Sequence, residues 1–395
     1  MKRSHLFITA GLAGLIVCFL LMVQPFASEA QEESRLLHTA TTSATVNQSV
    51  IREAKAALDR GNEWLMAKQR ESGVWSNDEF PALTGLAVWA LSLGGYEDSA
   101  AVSNGVNFIL SCVHPDGSIW QEPSELRKGG GLANYNTAMC MVALHTTNRD
   151  DLREIIARAR DYMVANQHLE SDEFRGGFGY DDKTGRPYAD LSNSYIGYEA
   201  MRLTQEIEDL RMTPGEAKAD LDWDAALSFV ESLHNPDGGF IYKPGHSMAG
   251  AVTNAQNEVT FRSYGSMTYA GLLSLIYADV DKTDQRVASA YEWAVKHWTL
   301  EENPGKGQEG LYYFYNVLSK ALSAYGSTVL ERPDGSMTNW REEMLKTLVN
   351  KQKVDGDSGL GFWQNDAGRW WEADPVLATA YSLIALNVTL AGAAD

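Results

Sequence analysis

Gln69-Arg70-Glu71-Ser72-Gly73-Val74-Trp75 ends a polar, amphipathic stretch and leads into Ala82 to Leu93, a run that is apolar almost all round. The same order returns along the chain. Further turns read Asp116-Gly117-Ser118-Ile119-Trp120, Gly176-Gly177-Phe178-Gly179-Tyr180, Asp237-Gly238-Gly239-Phe240, Gly310-Leu311-Tyr312 and Gly359-Leu360-Gly361-Phe362-Trp363. This makes six units, each a polar-backed helix, a glycine-plus-aromatic turn and a more apolar helix, with irregular spacing from insertions in the loops. Repetition of this kind removes the case for several domains that a length of 395 residues alone would make.

The two helices of a unit differ in period. Leu152, Ile155, Ile156, Ala159, Tyr162 and Met163 keep to one stripe, with Arg153, Glu154, Arg158, Arg160 and Asp161 facing away. Met337, Trp340, Met344, Leu345, Leu348 and Val349 form a second such stripe. Those helices have a wet side. Ala82 to Leu93, Ala138 to Leu144, Met267 to Ile276 and Val376 to Leu386 are apolar on every side, which requires protein all round them. The expected fold class is therefore all-α: an α/α toroid (α6/α6 barrel) over residues 49–395, its inner ring of helices covered by an outer one. An open solenoid of the same hairpins is the competing arrangement, and it would leave one face of every second helix in water.

With 44% hydrophobic residues, 22% charged and 11 Trp, the chain has material for a packed interior. Its net charge of −19, uninterrupted by any run of Lys and Arg, excludes nucleic acid as an expected partner and disfavours anionic membranes. Residues 1–30 are a separate object: Lys2 and Arg3 precede an apolar run from Leu6 to Val23, and Ser28-Glu29-Ala30 supplies a small-x-small cleavage pattern. The reading is a signal peptide on an exported protein, periplasmic or extracellular. An uncleaved anchor is the alternative, and it would be the protein's membrane contact. Residues 31–48, rich in Ser, Thr, Gln and Glu, read as a flexible lead-in. Beyond the leader only Cys112 and Cys140 remain, so one disulfide is allowed but not implied.

Gln69 to Trp75 matches the Q-x3-G-x-W motif of squalene and oxidosqualene cyclases, and Gly238-Gly239-Phe240 with Lys243-Pro244-Gly245 resembles the repeats of protein prenyltransferase β subunits. The resemblance covers residues 50–390 as a repeat pattern and implies the α/α toroid of the terpenoid cyclase and protein prenyltransferase family. The family's catalytic marks are a separate matter. The Asp-x-Asp-Asp run with which squalene cyclases protonate an alkene is absent; Asp279-Val280-Asp281-Lys282 follows its apolar helix and reads as a solvated loop. The prenyltransferase zinc set of Asp, Cys and His finds no counterpart after Lys243-Pro244-Gly245, where Phe261 to Tyr269 offers hydroxyls, so no metal and no other cofactor is expected. The complement-like Gly-Cys-Gly-Glu-Gln thioester sequence does not occur either.

What remains is a set of polar and aromatic residues opening the enclosed helices, a position that crowds one mouth of an axial cavity. Candidate catalytic residues are Asp190, Glu372 and Asp374; candidate ligand-binding residues are Tyr135, Asn193, Tyr195, Tyr264, Tyr315, Asn316, Trp370 and Trp371. Helix capping is the competing role for Asp190 and Asp374, and the expected sole role for Asn134. In Tyr312-Tyr313-Phe314-Tyr315 a helix can bury two of four rings, leaving at least one for the cavity. Three functions stay open: a lipid-handling protein of terpene-cyclase type that binds or cyclises a polyisoprenoid, a carbohydrate-active toroid, and a non-catalytic scaffold. A cavity of rings with one acid favours the first. An open cleft with two carboxyls about 5 to 9 Å apart favours the second.

Overall fold

The computed structural model describes residues 45–124, 131–181, 188–210, 218–253 and 255–393. The signal-peptide reading, and all of the lead-in before residue 45, fall outside the described residues. The helices in chain order are α1 (Gln48–Ala67), α2 (Pro81–Leu93), α3 (Ala100–Ser111), α4 (Ala133–Thr146), α5 (Arg153–Ala165), α6 (Leu191–Leu203), α7 (Trp223–Ser232), α8 (Gly265–Tyr277), α9 (Gln285–Lys296), α10 (Leu311–Tyr325), α11 (Trp340–Lys351) and α12 (Pro375–Ala391). Strand is confined, among the described residues, to three short antiparallel pairs in the loops.

The even-numbered helices form the inner ring. Each packs on the next, α2 on α4, then α6, α8, α10 and α12, and α12 returns to α2, so the ring is closed and the open solenoid falls. The cause is the contrast in period: α2 and α12 bury nearly every residue, whereas α1 and α9 bury one stripe and give the rest to water. Two outer-layer side chains depart from the expected pattern, and the first is Met337, which precedes α11 in a short strand and is exposed instead of joining its stripe. The second, Arg160, on the polar side of α5 by its spacing, is wholly buried. Its guanidinium donates to Glu208 Oε1 (2.6 Å), the Met201 and Ala219 carbonyls (2.7 and 2.9 Å) and Thr204 Oγ1 (2.8 Å), because the short helical turn Gln205–Leu210 folds back over that face of α5.

The turns carry a device that the motif alone does not spell out. The backbone N–H of a fully buried large residue of the turn, the plug of that joint, donates to a hydroxyl one turn inside the following inner helix: Trp75 to Thr84, Ile119 to Thr137, Phe178 to Ser194, Phe240 to Thr268 and Trp363 to Thr379, at 2.8 to 3.1 Å. Each latch satisfies a buried donor and fixes the plug over the end of its helix. The remaining expected turn is different: Gly310-Leu311-Tyr312 is not a turn after an outer helix but the N-cap and first residues of α10.

Glycine is required where the turn meets the next outer helix. Gly176 has φ +100°, and a Cβ there would lie 1.9 Å from the Ala225 carbonyl oxygen of α7. Gly117 meets the Arg158 carbonyl of α5 in the same way, at 2.2 Å. The motif glutamine ties the same joint: Gln69 Nε2 donates to the Gly73 and Ala101 carbonyls, and Gln167 Nε2 to those of Gly176 and Asp222. Gln352 Nε2 reaches the Ala57 carbonyl of α1 at 2.7 Å and so closes the outer ring.

Candidate functional site

The N-terminal ends of the inner helices surround a cavity of about 320 Å³. That volume lies at the lower end of the range of small-molecule sites. Its wall is aromatic: Tyr135, Tyr180, Tyr242, Tyr264, Tyr313 and Tyr381, with Phe80, Trp370 and Trp371 at the rim and Leu83, Ile196, Met248, Met267 and Leu377 between them. Among the described lining residues, Glu372 is the one carboxylate.

Glu372 is held from two sides. Its Oε1 accepts the Tyr313 backbone N–H at 2.7 Å and its Oε2 accepts Asn365 Nδ2 at 2.6 Å, so the segment before α12 caps the start of α10, whose own N-cap is Gly310. Burial pushes the Glu372 carboxyl above the ordinary carboxylate range, against the opposing pull of those donors. The two preceding residues carry backbone strain: Trp370 and Trp371 both have positive φ, +54° and +68°, and both are partly exposed, 40% and 43%. The strain holds their rings over the mouth. Trp371 meets Phe80 edge to face at 4.9 Å, while Lys306 and Arg369 sit over the Trp370 ring at 5.5 and 4.8 Å.

Asp190 stands behind this wall. It caps α6 through the Asn193 N–H (3.0 Å) and also accepts Ser192 Oγ (2.6 Å), Asn193 Nδ2 (2.7 Å) and the Tyr242 hydroxyl. Its burial is complete, and desolvation raises its pKa despite those four donors. Tyr242 in turn is hydrogen-bonded to Tyr180, so two cavity hydroxyls connect to a carboxylate that does not itself line the cavity.

The candidate residues thus divide. Tyr135, Tyr264, Trp370, Trp371 and Glu372 converge on the cavity. Asn193 holds Asp190, and both are one layer back. Tyr195 points deeper, donating to Glu199 at 3.0 Å. Tyr315 donates to the Leu300 carbonyl on the far side of α10, and Asn316 Nδ2 lies 3.5 Å from the Tyr381 carbonyl. Asp374 is outside the lining: its Oδ1 caps α12 at Val376, and its Oδ2 accepts Ser76 Oγ. Asn134 does not cap its own helix, whose N-cap is Leu132; it ties Tyr162 and the Gly179 carbonyl together.

Tyr180, Tyr242 and Tyr381 are wall residues that the sequence pattern does not single out. A weaker signal is present for the first two: each lies two residues beyond a buried aromatic of the turn, Phe178 or Phe240. Also unforeseen is the capping across helices at the mouth. The Ala82 N–H of α2 donates to Asn136 Oδ1 and the Ser266 N–H of α8 to Asn303 Oδ1. With Glu372 on α10, Asp190 on α6 and Asp374 on α12, side chains occupy helix-end donors that would otherwise attract an anion. Among the described residues, no group of three His, Cys, Asp or Glu is placed to hold a metal, and Cys112 and Cys140 are buried free thiols.

No family model matches the sequence, and no characterised protein matches it at sequence level. Solved structures do match. The type II terpene cyclase MstE from Scytonema, in its apo form, aligns with a TM-score of 0.51 over 87% of this chain and 99% of that one, at 10% identity. The fold is the α/α toroid of the terpenoid cyclases. A variant of the same cyclase in complex with geranylgeranyl dihydroxybenzoate (substrate) aligns with a TM-score of 0.52 at 11% identity, again over 87% and 99% of the two chains. Candida albicans protein geranylgeranyltransferase-I, complexed with GGPP, aligns with a TM-score of 0.47 at 13% identity over 87% and 92%. At such identities the likeness is one of fold alone.

Proposed function

We propose that the protein binds a polyisoprenoid lipid in the mouth cavity and cyclises it by protonation at Glu372. The observation that carries this reading is the lining: six tyrosines, two tryptophans and one carboxyl around a cavity whose helix-end donors are already engaged. An apolar chain is the ligand such a wall favours, because it removes apolar surface from water on both sides, and the Tyr135, Tyr180, Tyr242 and Tyr381 hydroxyls are already paired within the protein. The fold's likeness to a cyclase that holds a geranylgeranyl compound supports the same class.

The chemistry follows from the groups present. A neutral Glu372 adds its proton to a terminal alkene carbon of the bound chain; the alkene's electron pair forms the new C–H bond and leaves a tertiary cation. The electron pair of a neighbouring alkene closes the ring, loss of a proton from the final cation to water restores an alkene, and the Glu372 carboxylate takes up a proton from solvent to complete the cycle. The reaction is a net isomerisation. Ring faces of Tyr313, Tyr381 and Trp371 stabilise the moving cation, and a carboxyl raised by burial is still protonated where an ordinary one has ionised.

The carbohydrate reading needs two carboxyls facing one cleft. Here Asp190 is sealed behind Tyr242 and Asp374 is spent on α12, so that pair is not supplied. Titration of the full chain with geranylgeraniol, followed by tryptophan fluorescence, is expected to give saturable one-to-one quenching that Trp371→Ala weakens at least tenfold. Quenching by an oligosaccharide and none by the prenyl alcohol would overturn the reading.

A further inference from the structure

Beneath the cavity lies a charged cluster that the chemistry above does not use. Lys320 of α10 donates to Glu199 of α6 at 3.0 Å, and Glu199 also accepts the Tyr195 hydroxyl at 3.0 Å and the Tyr277 hydroxyl at 3.2 Å. The Lys320 ammonium sits 4.1 Å over the ring of Trp89, from α2. Glu199, Trp89 and Lys320 are 3%, 4% and 9% exposed.

Helical spacing places this cluster on the barrel axis. Ser192 and Ile196 line the cavity, and Glu199 continues their stripe on α6. Tyr313 lines it and Lys320 follows at i+7 on α10; Ala82 lines it and Trp89 follows at i+7 on α2; Ser266 lines it and Tyr277 continues that row on α8. Seven residues are about two turns, or ~10 Å along the axis. Four of the six inner helices therefore send their deeper residues to one ion pair directly under the cavity.

An ion pair taken out of water is not a device for stability, since well-packed apolar residues of similar volume commonly do as well or better. Its effect on a ligand is different. Apolar side chains at the end of a shaft shift rotamer and admit a longer chain, whereas a charge pair fixed by two hydroxyls and a ring face does not part for hydrocarbon. We infer that the Glu199–Lys320 pair is the floor of the site and sets the longest isoprenoid chain it accepts. The inference rests on the lipid reading above.

The test is a length series of prenyl alcohols, from geraniol through farnesol and geranylgeraniol to longer homologues, titrated against the full chain by tryptophan fluorescence. The wild-type protein is expected to bind more tightly with each isoprene unit up to a limit, and at least tenfold more weakly beyond it. The double variant Glu199→Ala with Lys320→Ala removes both charges together and is expected to move that limit up by at least one isoprene unit. Ile196→Phe, one turn above the floor, is expected to move it down, and it serves whether or not the double variant folds. A limit that stays in place in the folded double variant, or in Ile196→Phe, would overturn the floor while leaving the lipid reading intact. Failure of the wild-type protein to bind any member of the series would overturn both.

Discussion

Glu372 Oε1 accepts the backbone N–H of Tyr313 at 2.7 Å, so one side chain both caps α10 and stands in the cavity wall. A helix opened by Gly310 has no side chain of its own for that task. Replacing Glu372 with Ala leaves a buried N–H without a partner and is expected to cost about 1 to 3 kcal/mol, read from the denaturant midpoint. Glu372→Gln keeps one acceptor oxygen and is expected to cost less. Equal losses for the two variants would mean that the cap contributes nothing.

Asp190 and Glu372 give stability a particular dependence on pH. Both carboxyls are raised by burial, so the folded chain holds these protons more tightly than the unfolded one. The stability they contribute is fully present below the unfolded values, near 3.8 and 4.5, and is lost as pH rises through the raised folded values. Denaturation midpoints compared across that window should fall more steeply with pH in the wild-type protein than in Asp190→Asn with Glu372→Gln. Parallel curves would show that neither carboxyl is perturbed.

Arg160 is expected to be the most sensitive position of the outer ring. Arg160→Met strands the Glu208 carboxylate in the interior and should cost about 3 to 5 kcal/mol, while adding Glu208→Leu should recover most of that loss. A single variant as stable as the wild type would contradict the burial assigned to the pair.

Gly176→Ala tests the joint between turn and outer helix. The backbone conformation alone costs about 1 to 3 kcal/mol, and the contact with the Ala225 carbonyl adds to it, so the loss should exceed that of an alanine at Gly335, where φ is also positive but the space is open. Similar losses at the two positions would show that close approach is not what the motif glycine serves.

The toroid was legible in the sequence because its cause is periodic: Ala82 to Leu93 and Val376 to Leu386 have no polar face, and only a ring enclosed by other helices buries such segments. Arg160 escapes the same rule, since its burial depends on a turn some 45 residues later that no local pattern announces. The aromatic cluster at Trp370 and Trp371 stood out by composition alone, and Tyr313 was one of four rings that helix geometry had to sort. Tyr381 gave no such sign, because a tyrosine in an apolar helix is indistinguishable from core until the facing helices are placed. Asp374 shows the opposite case: its place before Pro375 marks a cap, and the cap is the role its hydrogen bonds describe. Long-range capping by Asn136, Asn303 and Glu372 was out of reach, because each partner lies on a different hairpin.

The central claim, proton transfer from Glu372 to a bound polyisoprenoid, is tested most directly by incubating the protein with geranylgeraniol in deuterium oxide and analysing the lipid by mass spectrometry. The account predicts a cyclised isomer carrying deuterium at the carbon that was protonated, formed by the wild-type protein and absent from folded Glu372→Gln. Recovery of unlabelled, uncyclised geranylgeraniol from the wild-type protein, or the same labelled product from the variant, would contradict it.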